Sequence, residues 1–406
     1  MRFNPLEETG IPLEKQLRSW SELNVEPYEP HGVDPYTRCR VIVMNGIEVE
    51  AITFSHQMNR HVDDIELRQK LAYLRYIEQQ QQKAINWMIP GQESVLEVVL
   101  GYEQVATDIT AWVARNEPDP YLRQNYKFGL LEDFDHLYRY SNLYELTQGK
   151  KAQAIVDYLT EVMPGRPTSH HHRHPEDNVR KHYDKHTVDP LSRMHAITIT
   201  AAEQQTMNYY MNVGPEFVEP IARGLYLEIA MVEEEHVTQY ESMLDPAESW
   251  LEQLVHHEYN ECYMYWSFAQ DEDDRRIKQV WELNLAMEIE QLKVAADLLR
   301  RYDGREPEQI LPAEMPQPTK FQPNKDFIRE VIAEQVDITT FGTGFVAEWP
   351  ERYIKHMATV NAGGAPSEQV IDENAQRNGR EYRNITDGPY PAEQYAHEKV
   401  REEVAR

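Results

Sequence analysis

Two acid–acid–histidine patterns with the same internal spacing stand 100 residues apart: Glu103, Asp133-x-x-His136 and Glu203, Glu233-x-x-His236. In each, the first acid precedes the second by 30 residues, and the histidine follows the second by three. Gln104 and Gln204 follow the first acids, and Tyr140 and Tyr240 come one turn after the histidines. The acids fall inside apolar stripes of helical period. Ala222, Tyr226, Ile229, Ala230, Glu233, Val237 and Tyr240, for instance, recur at steps of three and four and share one face. A carboxylate on such a face is costly unless its charge is compensated. A histidine three residues further on points at nearly the same spot.

Periodicity and breakers lay out an all-α chain. Residues 1–60 read as an N-terminal arm. Within it Arg40–Met44 and Ile47–Ala51 flank Asn45-Gly46 in the form of a small β-hairpin, or of a loop entering a helix. A helical domain follows over 61–303. It holds helices at about 63–87, 94–116 and 121–146, then a long connection over 147–190 with a short helix at 152–162. The connection carries His170, His171, His172, His174, His182 and His186, readable as a polar loop or as a metal-delivery tract. Helices at about 191–212 and from Glu216 complete a core bundle over about 92–243. An extra hairpin spans 247–302, and 304–406 form a Pro-broken C-terminal arm with a helix near 326–336.

The net charge of -28 argues against nonspecific binding to nucleic acid or an anionic membrane and suits attraction of cations. Only Cys39 and Cys262 are present, too few for a disulfide framework or a four-cysteine metal site. The opening MRFNPLEETG lacks the apolar run of a signal peptide, and no window is long and apolar enough to span a bilayer. The expected location is the cytoplasm. We find no phosphate-cradling glycine loop and no basic stripe with interleaved aromatics.

Antiparallel helices within each hairpin, and a connection long enough to recross a bundle, bring four carboxylates and two histidines to one level. Without cations such carboxylates repel one another and take up protons. Two divalent metal ions resolve this, and one histidine per metal among carboxylates suits iron or manganese better than zinc. Tyr102, Tyr140 and Tyr240 fall near enough to be redox-active.

The pattern resembles the ferritin-like di-metal carboxylate superfamily of rubrerythrins, bacterioferritins, manganese catalases and the radical subunit of ribonucleotide reductase. It does so over about 92–243, with Asp133 standing where the family pattern has Glu and Glu132 adjacent as a possible substitute. The resemblance implies a ferritin-like four-helix bundle with a long crossover. It implies metal ligands at Glu103, Asp133, His136, Glu203, Glu233 and His236. It also implies a carboxylate-bridged di-iron, iron–manganese or dimanganese centre that reacts with oxygen or peroxide, as in an oxidoreductase. The alternatives are a metal-storage or handling protein, and a helical scaffold with a degenerate site. The arms suggest a homo-oligomer. A weaker third pattern, Glu258, Glu288 and Gln291, reads as a copy without metal, or as an accessory or alternative ligand set.

Overall fold

The computed structural model describes residues 3–157, 159–335 and 350–392. The chain is all-helical, and the described residues include no strand beyond one isolated bridge between Val162 and Asn384. In chain order the helices are α1 (Trp20–Leu23), α2 (Pro35–Arg60), α3 (Ile65–Asn86), α4 (Val95–Asn116), α5 (Pro120–Gln148), α6 (Gln153–Val156) and α7 (Pro190–Val213). They continue with α8 (Pro220–Glu241), α9 (Trp250–Asp271), α10 (Arg275–Leu298), α11 (Lys325–Gln335), α12 (Glu351–Val360) and α13 (Pro366–Asn378). Among the described residues, none of these helices is long and apolar enough to cross a membrane.

Local chemistry sets the helix starts. α4 and α9 each open on a capping box, Ser94 with Glu97 and Ser249 with Glu252. α5 and α8 each open on a proline in the first turn, Pro120 and Pro220. These prolines lie 100 residues apart, so Asp133 and Glu233 sit at the same depth in their helices.

The hairpin expected around Asn45-Gly46 is not formed. That stretch lies in the middle of α2, which Asp34 caps by accepting from the Tyr36 amide at 2.8 Å. The β-branched run Val41-Ile42-Val43 mimics a strand because α2 is buried on nearly every face there, which erases the helical alternation. Asn45 and Gly46 serve a close helix contact instead of a turn. Asn45 Nδ2 donates to Gln205 Oε1 at 2.8 Å, and a Cβ on Gly46 would lie 2.6 Å from Gln205 Nε2.

The chain forms two compact units, each assembled from separate stretches. The first comprises Met1–Gln92, His182–Gln205 and Met243–Phe321, and the second Glu93–Lys181, Thr206–Ser242 and Gln322–Arg406. In the first, α2 packs on α3 and α9 on α10, while α2 also meets α9 and α3 meets α10. The expected extra hairpin over 247–302 is therefore half of a four-helix arrangement. Its other half is α2 and α3, and α2 lies in the stretch read as an arm.

In the second unit α4 packs on α5 and α5 on α8, and α13 lies against both α5 and α8. Its core gathers Leu96, Val99, Leu137, Tyr140, Leu225, Tyr226 and Ile229 with Val370 of α13 and Tyr382. Ile328, Val331 and Ile332 of α11 pack on Leu130, Leu131 and Phe134 of α5. The described C-terminal helices α11 and α13 thus contribute core rather than standing off as an arm.

Candidate metal centre

Five of the six expected ligands come together inside the second unit. Glu103 is on α4, Asp133 and His136 on α5, Glu233 and His236 on α8, and all are buried. Ligand atoms of Glu103, His136 and Glu233 lie within 4.8 Å of one another, and so do those of Asp133, Glu233 and His236. Glu203 is buried on α7, in the stretch that belongs to the first unit.

Glu233 links the two sets. Its Oε1 lies 3.0 Å from Nδ1 of His136 and its Oε2 lies 3.2 Å from Nδ1 of His236. The imidazole rings stand 5.9 Å apart between centroids. His136 Nδ1 is also 4.0 Å from Glu103 Oε2, and His236 Nδ1 is 3.5 Å from Asp133 Oδ1. Each histidine therefore turns Nδ1 toward two carboxylates and Nε2 away from them.

The outward nitrogens are held by residues of α5 and of the histidine tract. His171 Nε2 donates to the Arg166 carbonyl at 2.7 Å, so its Nδ1 is left to accept from His136 Nε2, 3.2 Å away. His236 Nε2 lies 2.8 Å from Glu132 Oε2. Glu132 in turn accepts from Arg173 at 2.9 and 3.2 Å, with Arg166 at 3.5 Å. Burial alone would raise the Glu132 carboxyl. The Arg173 charge, with His171 and His236, overrides that and holds it well below the usual range. Glu132 is then a carboxylate that only accepts, and His236 Nε2 must carry a hydrogen. Of the two neighbours, Glu132 faces the arginines, while Asp133 belongs to the cluster and accepts from Thr110 Oγ1 at 3.0 Å.

This hydrogen-bond chain sets the fit to a cation. Burial, with His236 and Arg139 adding to it, pulls His136 well below its ordinary range, so the ring is neutral with its hydrogen on Nε2. A bare Nδ1 lone pair then faces oxygens of Glu233 and Glu103. A cation placed there would meet an imidazole nitrogen and carboxylate oxygens together. Two nitrogen donors among carboxylate oxygens suit iron or manganese.

No protein-family model, no curated protein and no solved structure matches this chain.

The surroundings add residues not assigned from spacing. The Tyr210 hydroxyl donates to Glu103 Oε1. Tyr210, Tyr140 and Tyr226 form a ring cluster with centroids 5.0 to 5.7 Å apart. Tyr210 and Tyr226 line a cavity of about 330 Å³ together with Met211, Leu227 and Ala230. Tyr240 lays its hydroxyl against Gly129, and Tyr102 stacks on Tyr209 at 4.8 Å. Tyr210 had one available signal, since it falls two turns after Glu203 on the same face. His171 had only its place in the histidine tract, and Arg173 had no signal, because a connection has no period to read.

The histidine tract is not a loose loop. His172 lies 3.3 Å from Glu228 and 3.8 Å from Glu235. Burial opposes its protonation, but those two carboxylates push it up to about 9. The His170 carbonyl accepts from the Tyr353 hydroxyl at 2.7 Å. His182 and His186 fall in the first unit.

Glu258, Glu288 and Gln291 also lie in the first unit, on α9 and α10.

Proposed function

We propose that the second unit is a ferritin-like carboxylate centre for two divalent metal ions, iron or manganese, and that the protein is an oxidoreductase acting on oxygen or peroxide. Glu103 and His136 would hold one ion, Asp133 and His236 the other, and Glu233 both. Glu203 is the sixth ligand that the 100-residue repeat implies. Bound iron or manganese would supply redox chemistry toward oxygen or peroxide.

The observation that carries this reading is the placement of Glu233, one oxygen toward each histidine Nδ1. A carboxylate so shared is built to bridge two cations. The remaining residues act on the donors. His171 and Glu132 fix which imidazole nitrogen bears the hydrogen, and both rings turn Nδ1 toward the carboxylates. Tyr210 holds Glu103 and also forms part of the wall of the 330 Å³ cavity. A small molecule entering there is one tyrosine away from the Glu103 carboxylate.

The test is anaerobic loading with ferrous iron, metal counting, and exposure to air or peroxide. We expect two metals held by the second unit and a near-ultraviolet absorption change on oxidation. Loss of metal without any spectral change on oxidation would overturn the redox reading. Uptake far beyond the protein's discrete sites would replace it with storage. Absence of iron and manganese, both as isolated and after loading, would leave a helical scaffold.

A further inference from the structure

The third sequence pattern has a partner in the stretch read above as an arm and the helix after it. Glu48 precedes Glu78 by 30 residues, and Gln81 follows Glu78 by three, the same intervals that relate Glu258, Glu288 and Gln291. In the first unit these residues meet. One oxygen each from Glu78, Glu258, Glu261 and Glu288 lies within 4.8 Å of the others, on α3, α9 and α10. All four are buried, and so is Glu48 of α2.

Glutamine stands at both positions that carry histidine in the second unit. Gln291 Nε2 donates to Gln81 Oε1 at 2.9 Å and to Glu288 Oε1 at 3.3 Å, and Gln81 Nε2 also donates to Glu288. The Tyr265 hydroxyl donates to Glu48 and accepts from Asn284 Nδ2 at 3.0 Å. These bonds fix the rim of the cluster without filling its centre. Among the described residues, no amide, hydroxyl or charged donor reaches either oxygen of Glu78, Oε2 of Glu258 or Oε2 of Glu288. The nearby basic groups have other partners. Arg18 donates to Asn284 Oδ1 at 2.7 Å, His257 Nε2 lies 2.6 Å from Glu50, and the Lys83 ammonium donates to Gln82.

We propose that Glu78, Glu258, Glu261 and Glu288 bind one hard divalent cation, of the manganese, magnesium or calcium class, in a site built from the first unit alone. Four buried acids whose inner oxygens meet no amide, hydroxyl or charged donor among the described residues are costly when ionised. A divalent ion with a preference for carboxylate oxygen satisfies them together. The exchange of histidine for glutamine removes every nitrogen donor from the group and so selects against zinc. This site does not depend on the reading of the second unit. A pattern that reads from sequence as a copy without metal becomes a four-carboxylate group on three helices once Glu78 of α3 and Glu261 of α9 are added.

Manganese tests it, because the free aqueous ion gives a six-line electron paramagnetic resonance signal that binding removes. Full-length wild type is titrated beside the double variant Glu78→Gln/Glu288→Gln and beside His136→Ala/His236→Ala. We expect the glutamate variant to bind one manganese fewer per chain, and the histidine variant to keep that ion while losing affinity for others. An equal count in wild type and a glutamate variant of native helicity overturns the proposal. Failure of the histidine variant to change binding would instead count against the reading of the second unit. Hydrogen exchange on the wild type needs no variant. Manganese should slow exchange in α9 and α10, and unchanged exchange there at saturating manganese overturns the site.

Discussion

Glu132 Oε2 lies 2.8 Å from His236 Nε2, on the side of the ring away from the carboxylate cluster. The residue just before Asp133 therefore serves a histidine on another helix. Glu132→Gln removes the charge that keeps the hydrogen on Nε2 and turns the ring. Metal affinity should fall about 10- to 100-fold with the number of ions bound unchanged. Competition against a chelator of known affinity measures this. The variant should also be less stable, because Arg173 loses its buried counter-charge.

Asp135 ties the histidine-bearing connection to α5. It accepts from Arg139 at 2.9 Å, from the Gly165 amide at 3.1 Å and from the Thr168 amide and hydroxyl, both at 2.7 Å. Asp135→Ala should cost about 3 kcal/mol, since it removes one of two carboxylates beside the buried Arg139 and leaves the Gly165 and Thr168 donors without their acceptor. Trypsin should then cut after Arg173, which is buried in the intact protein. Persistence of the wild-type digestion pattern would refute this anchoring role.

Gly129 makes room for Tyr240. A Cβ there would stand 1.8 Å from the tyrosine hydroxyl oxygen and 3.1 Å from the ring carbon that bears it. Gly129→Ala should destabilise the fold by about 1–3 kcal/mol through overpacking. Removing the hydroxyl relieves most of the clash, so Gly129→Ala should cost less in a Tyr240→Phe background. A double-mutant cycle by urea unfolding reads the coupling, and additive costs would contradict the contact.

Asp108 gives the second unit a pH dependence of its own. Burial pushes its carboxyl up to about 7, although Asn324 and Thr160 hydrogen-bond to it and pull the other way. The unfolded chain releases this proton near the ordinary 3.8, earlier than the folded protein does. Folding is thus opposed increasingly as pH rises between those values, and the penalty is complete above pH 7. Asp108→Asn abolishes it. The variant should gain on wild type by up to about 4 kcal/mol as pH goes from 4 to 8, a difference that urea unfolding across that range would show. A constant difference would exclude Asp108 as the source.

The sequence by itself determined the helical class, the boundaries of α3 to α5 and α7 to within a few residues, and the span of the hairpin that α9 and α10 form. It also determined the level at which acids and histidines would face one another. Those features are local: a stripe of period 3.6, a capping box, a proline in the first turn and an interval of 30 residues are all carried by residues near one another in the chain. Three outcomes depended on tertiary structure. α2 looked like a hairpin because a helix buried on nearly every side shows no alternation. Asp133 and not Glu132 joined the cluster because neighbours on a helix differ by about 100° in direction, and the buried charges of Arg173 and Arg166 decided which carboxylate turned toward them. Glu258 and Glu288 gained Glu78 as a neighbour because α2 and α3 pack against α9 and α10. No local pattern encodes a contact between segments some 200 residues apart; it forms only when their apolar faces find each other in the folded chain.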